Sequence, residues 1–384
     1  MNASEAATST TATAPAKSHY VVLDGLRGVA SVMVVIFHLC EPYSNEDATK
    51  QIINHGYLAV DFFFLLSGFV IAYAYDDRWS RMTEWEFYKR RLVRLQPMVI
   101  MGSLIGAALF YFQKGGAFPL IPATPVWKML LVMLVGFTLL PLPPRADIRG
   151  WGEMHPLDGP AWSLFFEYVG NILYAMGFRK LSNRALGVFV GLSAAFLVQL
   201  AVFGPRGDVI GGWSLDSTQL HVGFARLLFP FFAGILLERL GKRIHVRHAF
   251  AMCSLLLIVA LSVPRFGGTQ HHWMNGLYEA ACIIILFPVI VALGAGEKRV
   301  GGPAIGIARF FGDLSYPLYI THYPLIYVYT GWVTLNYGHI SPMRGFAWGA
   351  VVFVSAISIA YTSLKIYDEP VRRWLSRRVL RRAN

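Results

Sequence analysis

The chain has 384 residues, of which 55% are hydrophobic and 15% charged, and its formal net charge is +12. A soluble domain usually carries about 25% charged residues, so this composition, with a mean hydropathy of +0.48, argues against a soluble enzyme. The excess cations fall between apolar runs, which fits the charge asymmetry of a membrane protein and not a nucleic-acid-binding face.

Residues 1–18 are rich in Ala, Ser and Thr and read as a disordered tail. Apolar runs follow near 21–40, 57–75, 92–112, 126–141, 161–178, 185–203, 219–238, 249–264, 274–294, 314–335 and 346–367. A spanning helix needs about 20 apolar residues. The first run lacks a basic leader and a small-residue cleavage site, so it reads as a retained helix. The run at 126–141 is the shortest and is bracketed by Pro122, Pro125, Pro141, Pro143 and Pro144. If it enters the membrane and returns, every later basic loop falls on one side together with the C-terminal arginines. The expected architecture is therefore all-α: a polytopic bundle of about ten transmembrane helices with one re-entrant or interfacial segment and both termini cytoplasmic. Residues 19–370 form the membrane-embedded domain and 371–384 a basic cytoplasmic tail. Cys40, Cys253 and Cys282 have neither metal nor disulfide spacing and read as small packing residues.

Five stretches carry chemistry. In the first, Asp24 and Arg27 open a helix that reaches His38. Eleven residues are almost three turns, so Arg27 and His38 share a face about 16 Å apart along the axis. Asp24 sits one turn before Arg27 and can fix its guanidinium. Arg27 alone would pass for an interfacial charge, whereas a histidine within a span is a functional candidate. In the second, Asp61 stands just inside a very apolar helix ahead of Ser67-Gly68, a pair suited to close helix packing. That acid could orient an imidazole, cap its helix or pair with another helix. The third places Arg91 and Arg94 where a helix enters from the cytoplasm, as a lipid anchor or as a phosphate clamp. The fourth, Trp162-Ser163-Leu164-Phe165-Phe166-Glu167, begins a polar stripe on an otherwise apolar helix. In the fifth, Ser315, Tyr319 and His322 share a face in a run broken by Pro317 and Pro324.

Taken in order, the Arg-x10-His helix, D-F-F-F-L-L-S-G-F, R-R-L-V-R, W-S-L-F-F-E and S-Y-P-L-Y-I-T-H-Y-P resemble the acyltransferase-3 family of integral membrane O-acyltransferases, from Leu23 to Pro370. The resemblance implies about ten membrane helices and transfer of an acyl group, usually acetyl, from coenzyme A to a glycan or glycolipid hydroxyl at the outer face of a bacterial inner membrane. It marks His38 as the catalytic residue, as general base or transient acyl carrier, and Arg27 as its partner in handling the donor.

On that reading Arg27, held by Asp24, joins Arg91 and Arg94 on the phosphates of acetyl-CoA. Glu167 or Asp61 orients the His38 ring. Trp162, Ser163, Tyr319 and His322 contact substrate, and no metal is required. With about fourteen residues after Pro370, the transfer is expected to finish in the membrane domain or on a separate extracytoplasmic transferase. The rival from another class is a proton-coupled transporter with Asp61, Glu167 and His322 as a relay, but no internal repeat accompanies it.

Overall fold

The computed structural model describes residues 19–44, 47, 50–113, 116–268, 270–297 and 303–380. The tail at 1–18 and the last four residues lie outside them. The described residues form helices α1 (Val21–Cys40), α2 (Ala59–Tyr75), α3 (Glu84–Leu109), α4 (Val126–Gly136), α5 (Ala161–Met176), α6 (Asn183–Phe203) and α7 (Ser217–Leu240). They continue with α8 (Ala249–Ser262), α9 (Trp273–Ala281), α10 (Phe287–Gly296), α11 (Pro303–Thr321), α12 (Tyr323–Leu335), α13 (Pro342–Thr362) and α14 (Glu369–Leu375), and they include no strand. Among the described residues, seven helical rods are long and apolar enough to cross a membrane. Helices α5, α8 and the α11–α12 rod, bent at His322, complete the bundle. The chain is an integral membrane protein.

Two boundaries differ from the apolar runs for one physical reason: hydropathy marks where lipid contact ends, not where helical hydrogen bonding ends. Helix α3 starts eight residues before its run, at a capping box in which the Thr83 side chain accepts from the Glu86 N–H and the Glu86 carboxylate accepts from the Thr83 N–H. The last rod outruns its apolar run, passing through a π-type turn (Ser363–Asp368), α14 and a second π-type turn to Leu380. Its basic residues are good helix formers that only leave the apolar layer. Helix α4 has 11 residues, a rise of roughly 16 Å, about half the bilayer core.

The bundle is organised on two close pairs, α1 on α11 and α2 on α7. Glycines set their approach. A Cβ on Gly28 would collide with the Phe311 carbonyl, and one on Gly68 with the Phe231 carbonyl, so Gly68 packs a helix closely as expected of a small residue, while its neighbour Ser67 turns to Glu167. The Ser31 hydroxyl bonds the carbonyls of Arg27 and Ser315, 3.0 Å each, and so ties α1 to α11.

The segment between α4 and α5 is folded tightly. Asp147 accepts from the N–H groups of Arg149, Gly150 and Gly152 at 2.7–2.9 Å. Arg149, fully buried, bonds the Pro156 carbonyl twice and the Gln113 side chain, and its guanidinium lies 3.4 Å from the centroid of the Tyr327 ring. This segment therefore packs on the α12 end of the bent rod.

Candidate active site

Two sites sit at opposite ends of α1. At the basic end, α1, α2, α3, α5 and α11 enclose a narrow cavity of about 120 Å³. That is below the roughly 300 Å³ of a pocket for a whole small molecule, so it suits a thin chain. Its mouth carries Arg27, Arg91 and Arg94, and its wall Phe63, Phe64, Ser67, Leu164 and Tyr316. Ser163 and Tyr319 line it further along, their hydroxyls 2.8 Å apart.

The arginines differ in their partners. Arg27 bonds Asp24 at 3.0 Å, the pairing that their spacing predicts. Arg91 bonds Glu167 at 2.6 Å, and Glu167 also accepts from the Ser67 hydroxyl at 2.7 Å. Arg94 makes no ion pair among the described residues, yet it lines this cavity and two adjoining ones. A cation without an internal counter-charge at a cavity mouth is available to an anionic ligand.

At the other end His38 occupies the last turn of α1, so it stands near the helix terminus and not midway along it. Its Nδ1 lies 2.8 Å from Glu41 Oε2, its ring meets Tyr323 edge-on at 4.7 Å, and the His322 ring is 5.7 Å away. His322 is fully buried. Its Nδ1 contacts the carbonyls of Leu318 and Tyr319, and its Nε2 has no hydrogen-bond partner among the described residues.

Close by, the α4–α5 segment carries two buried acids. Burial pushes the Glu153 carboxyl up to about 7, with Arg149 pulling the other way, and raises Asp158 as well. Tyr327 donates to both oxygens of Glu153 at 2.8 and 2.6 Å, whereas neither side-chain oxygen of Asp158 has a hydrogen-bond partner among the described residues.

Several expectations need correction. Neither Glu167 nor Asp61 touches His38. Asp61, fully buried, accepts from Arg226 at 3.2 and 2.7 Å, and Arg226 continues to the carbonyls of Tyr57 and Gly211. Asp61 is therefore a tie between α2 and α7, and Glu167 a brace for Arg91. Each carboxylate took the nearest guanidinium because a lone buried charge is far costlier than a paired one. With both acids fixed in separate ion pairs, the relay required by the transporter reading is not assembled.

Trp162 does not line the cavity; it is buried against Gly212 and 5.2 Å from the Arg226 guanidinium. Nor does His38 line the cavity that Arg27 lines. Between them stands a layer of two rings, His322 next to His38 and Tyr319 behind it, with 6.1 Å between the Tyr319 and His322 centroids.

The structure thus brings Arg27, Arg91, Arg94, Glu167, Ser163 and Tyr319 together, and separately His38 with His322. Sequence reasoning missed Glu41, Tyr323, Glu153 and Asp158. Glu41 had a signal, since it lies three residues from His38 on a continuing helical turn. Glu153 and Asp158 had none, because they arrive from a loop, and Tyr323 stood next to His322 in the fifth stretch without being singled out.

Comparisons with known proteins bear on this arrangement. The family model of an acyltransferase domain matches residues 20–364. The chain is 31% identical to "Protein 2 in picA locus" of Rhizobium radiobacter over 193 residues, which cover 47% of this chain and 94% of that one. It is 30% identical to acyltransferase MdmB of Streptomyces mycarofaciens, over 83% of this chain and 79% of that protein. It is 22% identical to O-acetyltransferase OatA of Staphylococcus aureus, over 79% of this chain and only 50% of that protein. No solved structure matches the chain at a significant level.

Proposed function

The chain belongs to the family of membrane proteins built on this acyltransferase domain, and from that premise we propose that it moves an acyl group, acetyl in the first instance, from cytoplasmic acyl-coenzyme A to a hydroxyl of a glycan or glycolipid on the far side of a bacterial plasma membrane. The observation that carries the reading is the polarity of α1: a cluster of arginines around a narrow cavity at one end and a carboxylate-held imidazole at the other. The basic end faces the cytoplasm, as the positive-inside rule requires, and both termini lie on that side. The O-acetyltransferase among the relatives supports transfer of acetyl to an oxygen acceptor, and the name of a further relative of Bacillus subtilis, the putative peptidoglycan O-acetyltransferase YrhL, supports a glycan-type one.

In this reading Arg27, Arg91 and Arg94 hold donor phosphates, and the acyl-bearing arm runs along the cavity towards Ser163 and Tyr319. Glu41 accepts the Nδ1 proton of His38, so Nε2 carries the free lone pair. The acceptor hydroxyl gives its proton to Nε2 while its oxygen attacks the thioester carbonyl. A carbon–oxygen bond forms, the carbon–sulfur bond breaks, and the departing thiolate takes the proton back from the imidazolium. The rings of Tyr319 and His322 must turn aside for the arm to reach His38. Rotamer changes of this kind are common where ligands bind. A separate extracytoplasmic transferase that carries the group onward is compatible with this scheme.

The test is mass spectrometry of surface glycans and glycolipids from cells with the gene, without it, and with His38→Ala. The reading requires an acyl increment that is lost in the second and third strains while the variant protein still accumulates in the membrane. An unchanged acylation pattern without the gene would reject it.

A further inference from the structure

Beside the donor cavity lies a second cleft of about 250 Å³, lined by Arg78, Arg90, Arg94 and Arg372 together with Tyr75 and Leu380. No carboxylate is among its described lining residues. Four guanidiniums around one cleft repel one another unless an anion joins them, and arginine binds phosphate bidentately. Arg78 and Arg90 are exposed and make no ion pair among the described residues.

Helix α14 delivers Arg372. The preceding turn, Ser363–Asp368, is of π type, a feature that shifts the register of a helix and recurs at functional sites. It leaves Arg372, Ser376 and Leu380 in one stripe facing α3. Asp368 holds Arg372 at 2.9 Å through one oxygen, while its other oxygen is buried with no hydrogen-bond partner among the described residues. The Tyr75 ring, braced edge-on by Phe87 at 5.0 Å, offers an aromatic wall. Arg94 belongs both to this cleft and to the cavity that leads inward, so the two join at one side chain.

Resting on the donor reading above, we propose that this cleft takes the nucleotide end of the donor: the 3′-phosphate sits among Arg78, Arg90 and Arg372, the adenine lies against Tyr75, the diphosphate passes Arg94 towards Arg27 and Arg91, and the pantetheine arm enters the narrow cavity. The C-terminal helical extension is then a wall of the donor site.

The test uses the purified full chain in nanodiscs of zwitterionic lipid, with isothermal titration of coenzyme A, 3′-dephospho-coenzyme A and acetyl-pantetheine. The wild type should bind coenzyme A about tenfold more tightly than the dephospho form, the scale of one charge-assisted contact. Arg372→Ala and Arg90→Ala should each abolish that difference while leaving acetyl-pantetheine affinity unchanged, which also shows that the variants are folded. Arg372→Lys should fall between.

Variants that keep the full preference for the 3′-phosphate, or that lose acetyl-pantetheine along with coenzyme A, overturn the assignment. A lipid phosphate as the true ligand would appear as competition by phosphatidylglycerol nanodiscs, with the arginine variants altering lipid retention and not coenzyme A affinity. A wild type that binds none of the three ligands overturns the donor reading itself. Binding without 3′-phosphate discrimination overturns only the cleft.

Discussion

The Nδ1 of His38 and the carboxylate of Glu41 stand 2.8 Å apart, three residues from each other where α1 runs into a further helical turn. The acid in contact with the imidazole is therefore local in sequence, and the two intramembrane acids expected there are engaged elsewhere. His38→Ala should abolish transfer. Glu41→Gln keeps the shape but removes the charge, and should lower kcat roughly tenfold or more with little change in the KM for the donor. Initial rates in washed membranes at saturating acyl-coenzyme A decide this; a Glu41→Gln variant of undiminished kcat would remove Glu41 from the mechanism.

Arg91 and Glu167 are 12% and 17% exposed and joined at 2.6 Å. Removing one partner of such a pair costs on the order of 3 kcal/mol. Glu167→Met should lower the melting temperature of the purified protein by several degrees. The double variant Arg91→Met/Glu167→Met should recover most of that loss but not the donor KM, because the phosphate contact is gone. Recovery of both by the double variant would deny Arg91 a role in binding the donor.

Asp61 and Arg226 are almost completely buried, at 0% and 2% exposure. Asp61→Asn strands the guanidinium, so the protein should accumulate poorly. Asp61→Leu/Arg226→Met replaces the ion pair by apolar groups and should restore accumulation together with activity per molecule. Quantitative blotting combined with specific activity separates this structural role from a catalytic one, which would leave the double variant folded and inactive.

His155 lies in the segment between α4 and α5, and burial pushes its ring down to about 4. A depressed histidine is neutral in the folded protein, while the unfolded chain binds a proton below about 6.5. Stability from this group is thus complete above 6.5 and falls as the pH drops towards 4. His155→Gln cannot titrate, so its stability relative to wild type should improve steadily from pH 7 to pH 4.5. Paired thermal melts across that range test it, and a constant difference would mean that the ring is already accessible.

What could be read before folding follows from which forces are local. The α1 span from 21 to 40, the Asp24–Arg27 pair and the short α4 are each fixed by neighbours within a few turns. The motif order identified the family because those residues recur at set places along the chain. The start of α3 at Thr83 was also legible as a capping box, though not from hydropathy. By contrast, the partners of Glu167 and Asp61 sit 76 and 165 residues away.

The sequence by itself determined a helical membrane bundle, its basic end and the two ends of α1, because apolar runs, charge placement and helical period act over short stretches. Only the tertiary structure decided which guanidinium each buried acid would meet, that Tyr319 and His322 separate the cavity from His38, and that α14 returns Arg372 to the rim. Those outcomes depend on helix approach set by glycine contacts and on desolvation, which forces buried charges to pair with whatever the fold brings within reach.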